Sequence, residues 1–233
     1  MNSVIIGNYG SGKTEFSLNY AIAAARRGER SMLVDLDIVN PFFRSGYHKE
    51  LLERENVRLV ASRYTLEAAD VPVVAPAVAS AFDGDYDSVV FDVGGNPVGA
   101  TALGQYNHRF RQVPPEKLKV LFIVNTFRPL TASVPDILEM LGKVELSSRL
   151  KVTGIINNAN LAALTEISHL TEGERIVEEA AERAGLPISH HCVSRRLLEN
   201  SPASALDALA GERVVLEIYT KLDWEDYRPS FPT

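Results

Sequence analysis

The sequence is poor in the residues that crosslink a chain. Its 233 residues include one cysteine, Cys192, and one tryptophan. A single cysteine excludes an internal disulfide and the Cys-x-x-Cys pairs that hold clusters or zinc, and it agrees with a reducing cytoplasm. Because Cys192 lies in an apolar-flanked run, we expect a buried, unreactive thiol.

Long apolar runs and basic segments are also missing. No apolar run approaches the length of a membrane-spanning helix, and the chain does not open with the basic and cleavage regions of a signal peptide. The net charge of -6 argues against nonspecific nucleic-acid or anionic-membrane binding as the main task. We therefore expect a cytoplasmic protein that binds no membrane and for which nucleic acid is an improbable partner.

The remaining composition is ordinary for a globular chain. Apolar residues make up 45% and charged residues 23%, within the usual range for one folded unit. We expect residues 1–233 to form a single domain, with a loosely packed tail over 224–233 that is acidic and then proline-rich.

The most informative stretch is a glycine-rich loop between a strand and a helix. Residues 7–14 follow the apolar run 4–6 and open a helical pattern at Glu15. They fit the G-x-x-x-x-G-K-[ST] phosphate loop, whose glycines let backbone N–H groups cradle a phosphate. The lysine of this motif reaches the β- and γ-phosphates, and its hydroxyl residue binds Mg²⁺. The expected nucleotide contacts are Gly7, Asn8, Tyr9, Gly10, Ser11, Gly12, Lys13, Thr14 and Glu15.

Predicted strands and helices alternate along the chain. The strands are continuously apolar, which indicates an α/β fold: a three-layer α/β/α arrangement around a mostly parallel, doubly wound sheet. No element is assigned over 61–84, and 99–115 is expected to be a long mobile segment with a short helix. The predicted strands are 4–6, 31–37, 57–60, 87–93, 119–125, 152–158 and 188–193. The predicted helices are 15–28, 47–53, 133–144, 171–184 and 203–222. The fourth of them is opened by a capping box at Thr171, and Gly211 is a candidate break in the fifth.

Acidic side chains close two of these strands. Asp35 and Asp37 end one and Asp92 ends another, on the edge where the phosphate loop lies. Carboxylates there can hold Mg²⁺ through water or orient an attacking water. Strand-end aspartates also cap turns, which is the alternative for each of them alone. Gly94 follows Asp92 and suits close approach to a γ-phosphate.

The predicted strand 152–158 ends in two amides, Asn157 and Asn158. An amide can donate and accept, which suits the edge of a nucleobase, although a turn position explains either asparagine equally well. The Asn-Lys-x-Asp arrangement of guanine-specific proteins is missing. We therefore expect adenine, and so ATP, as the ligand.

Together these residues resemble the MinD/ParA-like branch (SIMIBI class) of the P-loop NTPases, the CobQ/CobB/MinD/ParA nucleotide-binding domain family. The resemblance rests on residues 7–14, 33–37, 92–95 and 154–158. It implies ATP and Mg²⁺ binding, a homodimer formed face to face over the nucleotide, and ATP hydrolysis that times contact with a protein client. The implied catalytic residues are Lys13, Asp37 and Asp35; the implied metal residues are Thr14, Asp37 and Asp92; Asn158 is the implied adenine reader.

The loop departs from that family at one position. The family usually has a first lysine that reaches across the dimer, and here Asn8 occupies its place. Either an arginine replaces that lysine, or hydrolysis is slow, or the dimer differs. The candidate arginines are Arg44, Arg63, Arg195 and Arg196.

The sequence leaves three functions open. The first is a slow switch ATPase with a protein client. The second is a small-molecule kinase or ATP-dependent synthase on the same fold, with 61–84 as a substrate pocket. The third is a nucleotide-binding interaction protein that does not hydrolyse ATP.

Overall fold

The computed structural model describes residues 1–37, 48–61, 78–95 and 103–220. Eight strands in these ranges form one parallel sheet in the order β3-β2-β4-β1-β5-β6-β7-β8. The strands are β1 (Asn2–Gly7), β2 (Ser31–Leu36), β3 (Val57–Ala61), β4 (Ser88–Val93), β5 (Leu118–Val124), β6 (Gly154–Asn157), β7 (Ile188–Ser194) and β8 (Glu212–Leu216).

Helices cover the sheet on both faces. The α-helices are α1 (Lys13–Arg26), α2 (Lys49–Arg54), α3 (Asn107–Phe110), α4 (Val134–Ser148), α5 (Ile167–Ala184), α6 (Arg195–Asn200) and α7 (Ala203–Asp207). Short 3₁₀ turns lie at Ser80–Phe82, Pro115–Lys117, Pro129–Thr131 and Ala162–Leu164. In the part of the chain that the structure describes, no helix has the length and apolar character needed to cross a bilayer.

The apolar strands bury both of their faces. In β1, Val4 packs into a core with Ile137 of α4 and Val177 of α5, whereas its neighbour Ile5 packs into a second core with Phe16 of α1. Successive strand residues point to opposite sides of a sheet, so a strand without polar alternation needs cover on both. The predicted three-layer, parallel α/β fold is confirmed.

The start of α4 was predicted correctly. Ser133 is its N-cap, and its Oγ accepts a hydrogen bond from the backbone N of Asp136 at 3.4 Å. Pro135 lies in the first turn, where a missing N–H costs nothing.

The start of α5 was predicted wrongly. The helix begins at Ile167, and its reciprocal cap joins Glu166 to His169, whose Nδ1 accepts from the Glu166 backbone N at 3.0 Å. Thr171 lies inside the helix, and its hydroxyl donates to the carbonyl of Ser168. A Thr-x-x-Glu pattern fits a helix interior as well as a start, because threonine can bond back to the preceding turn.

The final predicted helix is also wrong in part. Helix α7 ends at Asp207, and β8 extends the sheet beyond β7. Gly211 makes the turn with a φ of +83°, and a Cβ atom there would lie 2.8 Å from the carbonyl oxygen of Ile188. A helix cannot pass that point, and the Val-Val pair that follows favours a strand.

The predictions for residues 61–84, 99–115 and 224–233 have different outcomes. The short helix expected within 99–115 is α3. Most of 61–84 and all of 224–233 lie outside the described residues.

Candidate functional site

A cavity of about 780 Å³ opens at the carboxyl edge of the sheet. It runs from the loop between β1 and α1, past the turn after β5, to the ends of β6, β7 and β8. Parallel α/β sheets bind ligands at this edge, because the loops that leave neighbouring strands separate there. The predicted site residues should therefore line this cavity.

The glycine-rich loop is folded as a cradle. Gly10 and Gly12 adopt φ angles of +71° and +90°, which side chains other than hydrogen rarely allow. The carbonyl oxygen of Asn8 accepts from the backbone N of Ser11 at 3.3 Å, from Ser11 Oγ at 2.8 Å and from Lys13 Nζ at 2.8 Å. The loop thus closes on its own backbone, and α1 begins at Lys13 directly beneath it.

Lys13 is the charged centre of the cradle. It is 6% exposed, and burial lowers the pKa of its ammonium from 10.5 to about 8, against the opposing attraction of Asp92 and Asp37. A Cβ atom on Gly95 would lie 2.6 Å from Lys13 Nζ and 2.8 Å from the backbone N of Tyr9. The glycine after β4 therefore lets the backbone pass close to both the loop and the ammonium.

The three predicted acids lie at the ends of neighbouring strands. Asp35 of β2 is paired in register with Asp92 of β4, and the backbone N of Asp37 donates to Asp35 Oδ1 at 3.0 Å. All three are less than 10% exposed. Among the described residues, no three acidic, histidine or cysteine side chains form a metal site by themselves. Mg²⁺ typically needs only one or two carboxylates when phosphates supply further oxygens, so Thr14, Asp37 and Asp92 are a fitting donor set for it.

Asn158 supports the cradle from below. Its Nδ2 donates to the carbonyl of Ser11 at 2.7 Å, and a Cβ atom on Gly12 would lie 2.3 Å from that nitrogen. Its neighbour Asn157 instead turns to Glu174, donating to Oε2 at 2.5 Å. Sequence reasoning missed this use of Glu174, a buried carboxyl whose pKa is raised by burial.

The far end of the cavity is mostly apolar. Leu170, Leu197 and Leu216 form its wall, with Ser194 and Thr165 as polar groups. Cys192 lies there too; it is buried as expected, and burial raises the pKa of its thiol. A narrow apolar space with a few hydroxyls suits a flat, partly polar ring.

Glu15 binds the chain that follows β8. Its carboxylate accepts from the backbone N of Tyr219 at 2.7 Å and from the backbone N and Oγ1 of Thr220 at 3.0 and 2.5 Å. One turn later Asn19 exchanges two hydrogen bonds with the backbone of Glu217, each 2.9 Å long. The Glu15 side chain is therefore engaged in structure, although the residue lines the cavity.

Asn8 takes the place of the family's first lysine, and its side chain is held within the loop. Asn8 is 6% exposed, and its Oδ1 accepts from the backbone N of Tyr9 at 2.8 Å, so it turns inward. Of the candidate arginines, Arg195 pairs with Glu217 and Arg196 donates to the carbonyl of Thr165. Arg44 and Arg63 lie outside the described residues.

A different arginine, Arg128, lies beside the loop. Its Nε donates to the carbonyl of Gly10 at 3.0 Å, and it lines the cavity. Sequence reasoning missed it, although a signal was present: Arg128 follows a predicted strand whose end lies at the same edge as the loop.

The chain matches a known protein family. Residues 3–172 match the family model described as "CobQ/CobB/MinD/ParA nucleotide binding domain". No curated protein sequence gave a significant match.

Solved structures with a similar fold include two FtsY proteins and a signal recognition particle protein. The cell division protein FtsY of Thermotoga maritima has a TM-score of 0.56 and 18% identity, with 83% of this chain and 61% of that one covered. FtsY of Mycoplasma mycoides gives 0.54 and 19%, covering 81% and 58%. The signal recognition particle 54 kDa protein of Aeropyrum pernix K1, solved with GDP, gives 0.52 and 18%, covering 80% and 40%. The chain thus spans about three fifths of the two FtsY chains, and at these identities the likeness concerns the fold.

Proposed function

Because the chain belongs to the CobQ/CobB/MinD/ParA nucleotide-binding domain family, we propose that it is a Mg²⁺-dependent ATPase that acts as a slow, nucleotide-dependent switch for a protein client. The family supplies nucleotide binding. The choice of ATP, the hydrolysis, the dimer and the client are parts of the proposal.

The observation that carries the proposal is the buried charge set around Lys13. An ammonium with a pKa lowered to about 8 lies between the Asn8 carbonyl and two acids, Asp37 and Asp92. Burial of an ammonium and two carboxylates at one place is costly even when they attract one another. A triphosphate would add negative charge beside Lys13, and Mg²⁺ would add positive charge beside the acids and neutralise the phosphates.

Other described residues would bind the metal, orient the attacking water and contact the phosphates. Thr14 and Asp92 would hold the metal, and Asp37 would orient the attacking water, as similar acids do in phosphoryl transfer. Asp35 would position Asp37 through the hydrogen bond to its backbone N. The backbone N–H groups of Gly10, Gly12, Lys13 and Thr14 would donate to the phosphate oxygens at the start of α1.

The base would occupy the apolar end of the cavity. With its Nδ2 on Ser11, Asn158 would offer Oδ1 to the amino group of adenine. Guanine has a carbonyl at the corresponding position, which repels an amide oxygen. This supports ATP over GTP.

Apolar side chains around the cavity mouth support an assembly over the nucleotide. Tyr9 is 61% exposed, Leu130 is 56% exposed and Ile218 is 49% exposed, and all three line the cavity. Exposed apolar groups gathered at one place are typical of interaction surfaces. A second copy of the chain, and then the client, would cover them.

Titration calorimetry with ATP or GTP and Mg²⁺ tests the nucleotide site, and phosphate release tests turnover. We expect ATP to bind more tightly than GTP, to be hydrolysed slowly and to shift the protein to a dimer in light scattering. Lys13→Ala should remove binding, whereas Asp37→Ala should keep binding and lose hydrolysis. Wild-type binding by Lys13→Ala would contradict the site. Binding without phosphate release would indicate the interaction protein, and release only with an added metabolite would indicate the kinase or synthase.

A further inference from the structure

We propose that Arg128 contacts the triphosphate of its own chain and supplies the positive charge that Asn8 cannot. This inference rests on the proposed function and names a residue for its reaction. It assigns the task of the missing lysine to a residue in the turn after β5, and it places that residue in the same subunit as the nucleotide.

The position of Arg128 is the first argument. Its Nε donates to the Gly10 carbonyl at 3.0 Å, and its guanidinium carbon lies 3.6 Å from the place of a Cβ atom on Gly10. The guanidinium therefore lies against Gly10 of the phosphate loop, and Arg128 lines the same cavity as Lys13. Two cations that line one cavity beside one loop can both contact the phosphates of one nucleotide.

The turn that carries Arg128 is rigidly built. Asn125 is fully buried; its Oδ1 accepts from the backbone N of Phe127 at 3.0 Å and of Asn160 at 3.2 Å, and its carbonyl accepts from Thr131 Oγ1 at 2.7 Å. The backbone of Arg128 is itself bonded on both sides, to the Asn125 carbonyl at 3.1 Å and to the Thr131 N at 3.0 Å. A cation held by a rigid turn loses little conformational entropy when it binds, which suits it to positioning phosphate.

Arg128 is also available. The side chain is exposed, and within residues 1–37, 48–61, 78–95 and 103–220 no carboxylate forms an ion pair with it. Arg195 and Arg196 are engaged elsewhere. Of its five N–H donors, one is used on Gly10, so the others can form the paired hydrogen bonds that guanidinium makes with phosphate.

Hydrolysis of ATP is favoured by a cation near the oxygen that links the β- and γ-phosphates. When water attacks the γ-phosphorus, the bond to the ADP oxygen breaks and negative charge grows on that oxygen. A guanidinium near it lowers the barrier without giving up a proton, and its charge stays the same throughout. ATP and water enter; ADP, phosphate and the proton that the water releases leave, and Arg128 is unchanged.

The test compares Arg128→Ala and Arg128→Lys with Arg183→Ala, which removes an equal charge from an exposed pair with Glu179 on α5. We expect Arg128→Ala to lower the rate of phosphate release roughly 100-fold, as loss of one transition-state donor does, with a smaller loss of ATP affinity. Arg128→Lys should recover part of the rate, and guanidinium ion added at millimolar levels should recover part of the rate of Arg128→Ala. Arg183→Ala should match the wild type.

Each outcome of this comparison either supports or contradicts the role of Arg128. A wild-type rate in Arg128→Ala, or a loss that neither lysine nor guanidinium ion repairs, overturns the inference while wild-type ATP binding and hydrolysis still support the proposed function. If the wild type itself binds no nucleotide, the proposed function fails first. Mixing Arg128→Ala with Lys13→Ala separates the two placements: restored activity would put Arg128 on the partner's nucleotide and refute action within one chain.

Discussion

Replacing Lys13 by methionine should stabilise the protein when no nucleotide is bound. The two side chains have similar length and volume, but methionine carries no charge into the loop. The pKa of Lys13 is lowered from 10.5 to about 8, and each pKa unit corresponds to about 1.4 kcal/mol. The folded protein without ligand therefore carries a cost of roughly 3 kcal/mol for keeping this ammonium charged.

The pH dependence follows from the same shift. Between the lowered pKa of about 8 and the ordinary value of 10.5 the unfolded chain keeps the proton that the folded protein has released. Stability of the wild type should then rise with pH over this interval, since the unfolded state binds more protons. Below it the full cost is present. Loss of the hydrogen bond from Nζ to the Asn8 carbonyl reduces the gain in Lys13→Met by about 1 kcal/mol.

Urea unfolding of both proteins without nucleotide measures the difference. At about pH 7 we expect Lys13→Met to be more stable by roughly 2 kcal/mol, and the advantage to disappear above about pH 10. ATP with Mg²⁺ should reverse the order, because only the wild type gains from binding. If Lys13→Met is equal to or less stable than the wild type at neutral pH, the reasoning about buried charge is refuted.

Three further substitutions test other contacts. Gly12→Ala should cost about 2–3 kcal/mol and weaken nucleotide binding, since φ is +90° and the new Cβ would displace the Asn158 amide; wild-type melting would argue against this loop geometry. Glu15→Ala should lower stability by about 2 kcal/mol and speed hydrogen exchange at the N–H of Thr220, measured by mass spectrometry; unchanged exchange there would refute the contact. Ser133→Ala should cost about 1 kcal/mol in urea unfolding without changing nucleotide affinity.

Much of the fold could be predicted from the sequence because it depends on local patterns. The continuously apolar strands predicted the layer order, and the glycine-rich loop predicted which edge of the sheet carries the candidate site. The wrong elements fail for a physical reason: β8 is a strand because it pairs with β7, a contact distant in sequence. Similarly, Thr171 matched a capping pattern, but tertiary contacts placed the helix start at Ile167.

In the candidate site too, local patterns predicted the position of some residues, whereas residues that depend on contacts distant in sequence were missed. Lys13 and Thr14 begin α1 and Asp92 lies near the end of β4, where the helix and strand pattern placed them, and their roles stay predictions. Arg128 was missed because its role depends on the fold of the turn after β5, which no motif in the sequence describes. Glu15 was expected only as part of the loop, and its bonds to residues 219–220 are separated from it by 204 positions or more.

The hydrogen bonds from residues 219–220 to Glu15 determine how far the chain can be shortened. Thr14, the expected metal ligand, is followed directly by Glu15, whose carboxylate binds the chain beyond β8. A version that stops at Leu216 would leave the side chains of Glu15 and Asn19, in the first two turns of α1, without the partners that they bind in residues 217–220. A loss of ATP affinity in a protein cut at Leu216 would therefore be a local effect of the cut on α1.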